Sequence, residues 1–163
     1  HLNYGILAWV IKCCKLEKIQ KKSVRIMTNA KYNAHSSPTF KKLQLLKISD
    51  LCALQELKYL YKFENQLLPI YFLSIAYQRH SDRHNYGTRN AQSLESLQHR
   101  HNFVNNSICF RFPKILNNCP ICIKDKIYSH SMAGFTRYAK KYLLNNYSEI
   151  CSRGNCYICQ NST

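Results

Sequence analysis

The sequence predicts a mainly α-helical protein, and three features carry that reading. Apolar residues recur at spacings of three and four along Leu51, Leu54, Leu57, Leu60 and Tyr61, and again along Met132, Phe135, Tyr138, Tyr142 and Leu143, the period that gathers side chains on one helix face. Residues 4–28 contain no proline, and Gly5 is their only glycine, so nothing there removes an intrahelical hydrogen bond. Ser37-Pro38 and Ser49-Asp50 have the chemistry of helix starts, a hydroxyl able to cap a free N–H followed by a proline or an acid.

Taken in order, the first expected element is a helix over residues 4–28, with a bend near Cys13-Cys14. Its second half is two-faced at about 100° per residue: Leu16, Ile19, Val24, Ile26 and Met27 fall in one arc, and Lys15, Lys18, Lys21, Lys22 and Arg25 in the opposite one. The apolar arc is expected to pack. The basic one is either a solvated face or a phosphate-facing surface, and the lone Glu17 favours phosphate, because solvated faces usually mix their signs. A polar loop over 31–36 leads to a short apolar helix through Phe40, Leu43, Leu45 and Leu46. The next helix starts at Ser49-Asp50, supplies core leucines and ends before Pro69. Residues 78–100 turn to His, Arg, Asn, Ser and Gln, a linker composition. Residues 103–116 form a mixed segment interrupted by Pro113, and helical spacing resumes over 127–147. The expected organisation is a thumb-like helical unit (1–77), a basic polar loop (78–102) and a small α-rich unit with a Cys-rich tail (103–163).

The chain has 163 residues, 24 Lys+Arg against 8 Asp+Glu and a formal charge of +16. Such a balance attracts polyanions, nucleic acid first and anionic lipid second. The carboxylates are scattered singly, so the converging acids of a two-metal phosphoryl-transfer centre are not expected. Neither G-x-G-x-x-G nor G-x-x-x-x-G-K-[ST] occurs, which sets nucleotide-cofactor enzymes aside. The longest mainly apolar run, 67–77, contains Pro69 and is too short to cross a bilayer, which needs about 20 residues. No membrane partner is expected. The first residue is His1 with no secretory signal after it, and the nine cysteines are odd in number with Cys13 and Cys14 adjacent. The expectation is a piece of a longer intracellular protein, nuclear or cytoplasmic.

Two clusters are candidate sites. The loop Arg79-His80-Ser81-Asp82-Arg83-His84-Asn85-Tyr86-Gly87-Thr88-Arg89 offers Arg79, Arg83, His84 and Arg89 for phosphates and Tyr86 for base stacking. Its bland alternative is a loop whose arginines bond its own structure. Lys140 and Lys141 flank the last helix as further phosphate contacts. Cys119-x2-Cys122 and Cys156-x2-Cys159, with Cys151 nearby, have the spacing by which thiolates clamp Zn²⁺. The tail triad Cys151, Cys156 and Cys159 is the stronger half, with His130 or Cys122 as a fourth ligand; its bland alternative is buried, inert cysteines in a Cys-rich chain. Cys13, Cys14, Cys52 and Cys109 are assigned to packing. No residue is marked as catalytic.

Several stretches, in order, resemble one family. His1-Leu2-Asn3-Tyr4-Gly5-Ile6 with Trp9 is similar to the S-H-L-x-Y-x-x-x-x-W-G segment that follows the polymerase core of non-LTR retrotransposon reverse transcriptases of the jockey and chicken-repeat type. Residues 16–26 resemble its L-x-x-[IL]-Q-[KR]-[KR]-[AS]-[IV]-R-[IL], with Gln20, Lys21, Lys22 and Arg25 in place. Phe40-Lys41-Lys42-Leu43 and Leu45-Leu46-Lys47-Ile48 resemble L-F-x-x-L-x-I-L-x-[IL], and Leu68-Pro69 with Phe72 resembles L-P-x-x-F. His84-Asn85-Tyr86-Gly87-Thr88-Arg89 resembles H-x-Y-x-T-R, Asn117-Asn118-Cys119-Pro120 sits where the family has W-N-x-L-P, and residues 135–144 resemble its closing F-K-x-x-[LV]-K-x-x-[LY]-L. Val10, Leu116 and Cys119 depart from the family's Gly, Trp and Leu.

The resemblance implies the thumb and C-terminal domain of an RNA-directed DNA polymerase, gripping template, primer or element RNA and DNA. The palm, with its paired aspartates and Mg²⁺, would precede His1 in the same polypeptide and act as an intramolecular partner. Two other readings stand beside it: a zinc-assisted basic adaptor module, and a decayed element remnant without activity.

Overall fold

The computed structural model describes residues 5–9, 14–75, 77–83, 86–96, 99–101, 104 and 106–147. It is mainly helical, as expected. Among the described residues the helices are α1 (Ile6–Trp9), α2 (Cys14–Met27), α3 (Ser36–Lys42), α4 (Ile48–Glu64), α5 (Ile70–Leu73), α6 (Ile108–Asn118), α7 (Ile121–Ser129) and α8 (Met132–Asn145), with a 3₁₀ turn at His80–Asp82. Among the described residues there is no strand, only an isolated antiparallel bridge between Arg79 and Leu94.

α4 is the axis of the molecule. It packs against α1, α2, α6 and α8, because its apolar residues surround it: Leu54, Leu57 and Leu60 are buried, as are Tyr59 and Tyr61 on either side of Leu60. Tyr61 lies 5.0 Å from Phe135 of α8 between ring centroids. Phe112 of α6 sits 4.4 Å from Phe63 and 4.9 Å from Tyr77. One hydrophobic cluster therefore runs from Val24 to Tyr147 and includes Leu94 of the basic loop. The units expected on either side of that loop share this core.

Several expected helix boundaries are displaced, each for a physical reason. α3 begins at Ser36 and α4 at Ile48, preceded by His35 and Lys47, and neither has a side-chain cap from its own segment. The caps of α4 come from elsewhere. The Ile48 N–H donates to Gln20 Oε1 of α2 at 3.1 Å, Gln20 Nε2 donates to the Leu46 carbonyl at 2.9 Å, and the Lys47 N–H donates to the Tyr147 hydroxyl at 2.9 Å. Tyr147 in turn donates to the Asp50 carboxylate, and the Lys47 ammonium lies 4.5 Å above its ring. Burial and the Asp50 bond push the Tyr147 phenol well above its ordinary range, since both favour the neutral form.

Helix ends are built without glycine. Asn29, Gln44 and Gln66 adopt φ of 54°, 53° and 56°. Behind each, an N–H reaches back five residues, Ala30 to Arg25, Leu45 to Phe40 and Leu67 to Lys62 at 2.9, 3.0 and 2.7 Å. This is the Schellman closure that glycine usually supplies.

Pro113, expected to interrupt its segment, is buried inside α6. A proline there frees the carbonyl four residues back, and the Tyr77 hydroxyl takes it up, donating to the Cys109 carbonyl at 3.0 Å. The continuous helical spacing over 127–147 is in fact broken. Ser131 caps α8, its Oγ accepting from Gly134 N–H at 3.3 Å, and Tyr61 donates to the intervening His130 carbonyl at 2.8 Å.

Candidate nucleic-acid interface

α2 does not bury the arc its periodicity suggests. Val24 is buried and Leu16 partly so, but Ile19, Ile26 and Met27 are exposed. The helix contacts α3 and α4 through the edge carrying Gln20 and Val24, since Gln20 must reach the start of α4. The basic arc is split in the same way. Lys15, Lys18 and Lys22 are exposed. Lys21 lies 3.7 Å from Glu17, and Arg25 Nε donates to the Ala34 carbonyl at 2.7 Å, holding the loop after its own helix. Three of the five expected contacts therefore face solvent, and two serve the fold.

The loop after α5 is tied into a narrow return. Glu95 N–H donates to the Gln78 carbonyl at 2.8 Å, His80 N–H to that of Ser93 at 3.1 Å and Ser81 N–H to that of Ala91 at 2.9 Å. Asn117 of α6 clamps it from the side. Its Oδ1 accepts from Leu94 N–H at 3.0 Å and its Nδ2 donates to the Leu94 carbonyl at 2.9 Å, as a neighbouring strand would. Within this frame Arg79 Nη1 donates to Gln92 Oε1 at 2.7 Å, and Arg83 Nη1 pairs with Glu95 Oε1 at 2.6 Å. These two arginines do the bland work of holding the loop. Tyr86 and Arg89 are exposed, and His84 lies outside the described residues.

A further positive surface lies on α8. Arg137 is exposed, as are Lys140 and Lys141 one turn further on. With Lys41 of α3 they line a cleft of about 330 Å³, completed by Gln44, Leu144 and Asn145. No carboxylate is among the described residues of its wall. Lys140 and Lys141 were legible in the sequence. Arg137 was signalled by its spacing of three and four from them on one helix face, whereas Lys41 comes from another element and carried no such signal.

The expected zinc triad Cys151, Cys156 and Cys159 lies outside the described residues. Among those described, no three His, Cys, Asp or Glu side chains gather as a metal would require. Cys119 is buried with its thiol toward the Pro120 carbonyl at 3.8 Å. Burial pushes that thiol up to about 11, which suits an apolar slot and opposes thiolate ligation. Cys122 is exposed, and the His130 ring lies 2.8 Å from Ser129 Oγ. No described helix is long and apolar enough to cross a membrane.

No family model, no curated protein and no solved structure matches this chain.

Proposed function

We propose that this chain is the nucleic-acid-binding C-terminal region of an RNA-directed DNA polymerase of the non-LTR retrotransposon type, holding RNA or DNA for a palm carried elsewhere in the polypeptide. The observation that carries the nucleic-acid part is the cleft of Lys41, Arg137, Lys140 and Lys141, free of carboxylates in its described wall. Converging cations of this kind suit successive phosphates, which fix a strand without reading its sequence. Lys15, Lys18 and Lys22 supply a second set on α2. The ordered resemblance of the sequence supports the polymerase part. These residues bind and orient, and none is assigned a chemical step.

Fluorescence anisotropy of a labelled single-stranded RNA, titrated with the full chain across a salt series, tests the reading. Contacts from the six exposed cations of α2 and α8 give a log–log slope of about −4, and an Arg137→Ala, Lys140→Ala, Lys141→Ala variant flattens it to about −2. Affinity that is indifferent to salt, or a slope unchanged in that variant, would refute it.

A further inference from the structure

α2 carries more apolar surface than its neighbours cover. Ile19 and Met27 remain 60% and 66% exposed, and Leu45 across from them 39%. Between them runs a groove of about 560 Å³, with Leu16, Leu51 and Leu54 in its wall, within the roughly 300–1,000 Å³ range of ligand clefts. Its described lining is aliphatic and polar, with neither an aromatic ring nor a carboxylate. Gln44 and Lys140 line both this groove and the cationic cleft, so the apolar surface opens directly beside Lys41, Arg137 and Lys141.

This combination selects its occupant. Nucleobases are held by stacking on rings or guanidinium planes and by hydrogen bonds to their edges; the described lining holds no ring or guanidinium, and of its polar residues Gln20 is already bonded at Leu46 and Ile48, and Ser23 and Gln44 to the carbonyls of Ile19 and Lys41. A second copy would bring its own +16 against the same cations, a like-charge encounter that interfaces avoid. An amphipathic helix meets both requirements, laying apolar anchors at i, i+3 or i+4 and i+7 into a groove while acids on its flank face Lys140, Arg137 and Lys141. We infer that the α2/α4 groove docks an acidic amphipathic helix of a partner protein. This goes beyond the nucleic-acid reading and does not rest on it, because the apolar anchors Ile19 and Met27 lie outside the cationic cleft, although an acidic flank and a nucleic acid would share Lys140, Arg137 and Lys141.

The test uses the full chain and three labelled synthetic peptides of about 20 residues, enough for a helix of about 30 Å. One has leucines at helical spacing flanked by glutamates, one is its scramble, and one has lysine flanks. The glutamate-flanked helix alone should bind. Ile19→Ser or Met27→Ser should weaken it about tenfold or more, as loss of one buried aliphatic anchor requires, and Lys140→Glu should weaken it in a salt-dependent way. Ile19 and Met27 are exposed, so the variants should melt as the parent does by circular dichroism, and Ile19→Ser should leave RNA affinity unchanged. Equal binding of the scramble, no binding of any peptide, or full affinity in Ile19→Ser would overturn the proposal. RNA should compete with the peptide for the shared α8 cations whether or not Ile19 is present, so binding of RNA or of phosphatidylglycerol vesicles that Ile19→Ser itself abolishes would also overturn the proposal. A dimer in sedimentation that Ile19→Ser dissociates would assign the groove to a second copy and overturn it equally.

Discussion

Replacing Gln20 by alanine should loosen the molecule at the junction of α2 and α4 more than any lysine substitution on the same helix. Gln20 makes two hydrogen bonds, at 2.9 Å to the Leu46 carbonyl and 3.1 Å from the Ile48 N–H, at positions where Leu46 and Ile48 are 4% and 1% exposed. Each such bond contributes about 1 kcal/mol net, and a buried group left unpaired costs about 1–3 kcal/mol, so Gln20→Ala should destabilise by roughly 2–4 kcal/mol. In a chain of this size each kcal/mol lowers the midpoint by about 2–4 °C, giving a fall of about 4–16 °C. Gln20→Glu should be intermediate. It keeps the acceptor for Ile48 but sets a carboxylate oxygen against the Leu46 carbonyl. The assay is thermal and urea unfolding beside Lys18→Ala, an exposed neighbour expected to stay within about 0.5 kcal/mol of the parent, with hydrogen exchange at the Ile48 amide as the local readout. The reasoning is refuted if Gln20→Ala melts with Lys18→Ala, or if the Ile48 amide keeps its protection.

Three further outcomes follow from the same geometry. Asn117→Ala removes both bonds to Leu94 and should speed proteolysis within residues 86–92, seen by mass spectrometry, at a global cost of about 1–3 kcal/mol. Gln66→Gly should raise stability by up to about 1 kcal/mol, because the left-handed backbone there is strained for any residue with a Cβ; an unchanged urea midpoint would count against that strain. For Cys119 the folded thiol is raised from 9 to about 11. The protonated form is thus favoured by folding, and its contribution is complete below pH 9 and lost as pH rises through about 11. The parent should accordingly lose more stability than Cys119→Ala between those limits in urea titrations, and parallel pH profiles would contradict the assignment.

The sequence was informative where one element decides its own fate. The three-and-four spacing along Leu54, Leu57 and Leu60 identified the central helix, and the lysines of α2 and α8 announced positive surfaces. Where a distant residue decides, local pattern misled. Pro113 looked like an interruption because its compensating hydroxyl, on Tyr77, is far away in sequence. The start of α4 was shifted because its caps come from Gln20 and Tyr147 rather than from Ser49. Helix ends at Asn29, Gln44 and Gln66 gave no glycine signal. Periodicity defined an apolar arc on α2 but not which edge of it packs, and charge alone could not separate Lys18, which faces water, from Arg25, which braces a loop. For Arg79 and Arg83 the phosphate and loop-bracing readings were equally open from sequence, and their bonds to Gln92 and Glu95 depend on the fold of the loop.

The shared core bears on how the molecule comes apart. A nick at the exposed turn around Gly87 would leave α4 on one piece and α6 and α8 on the other, with Tyr61 still stacked by Phe135 and Phe63 by Phe112. The two pieces would stay together as a non-covalent pair. Each half expressed alone would lose the partner side chains that complete its share of this cluster, while the exposed turn between them offers a site for a protease.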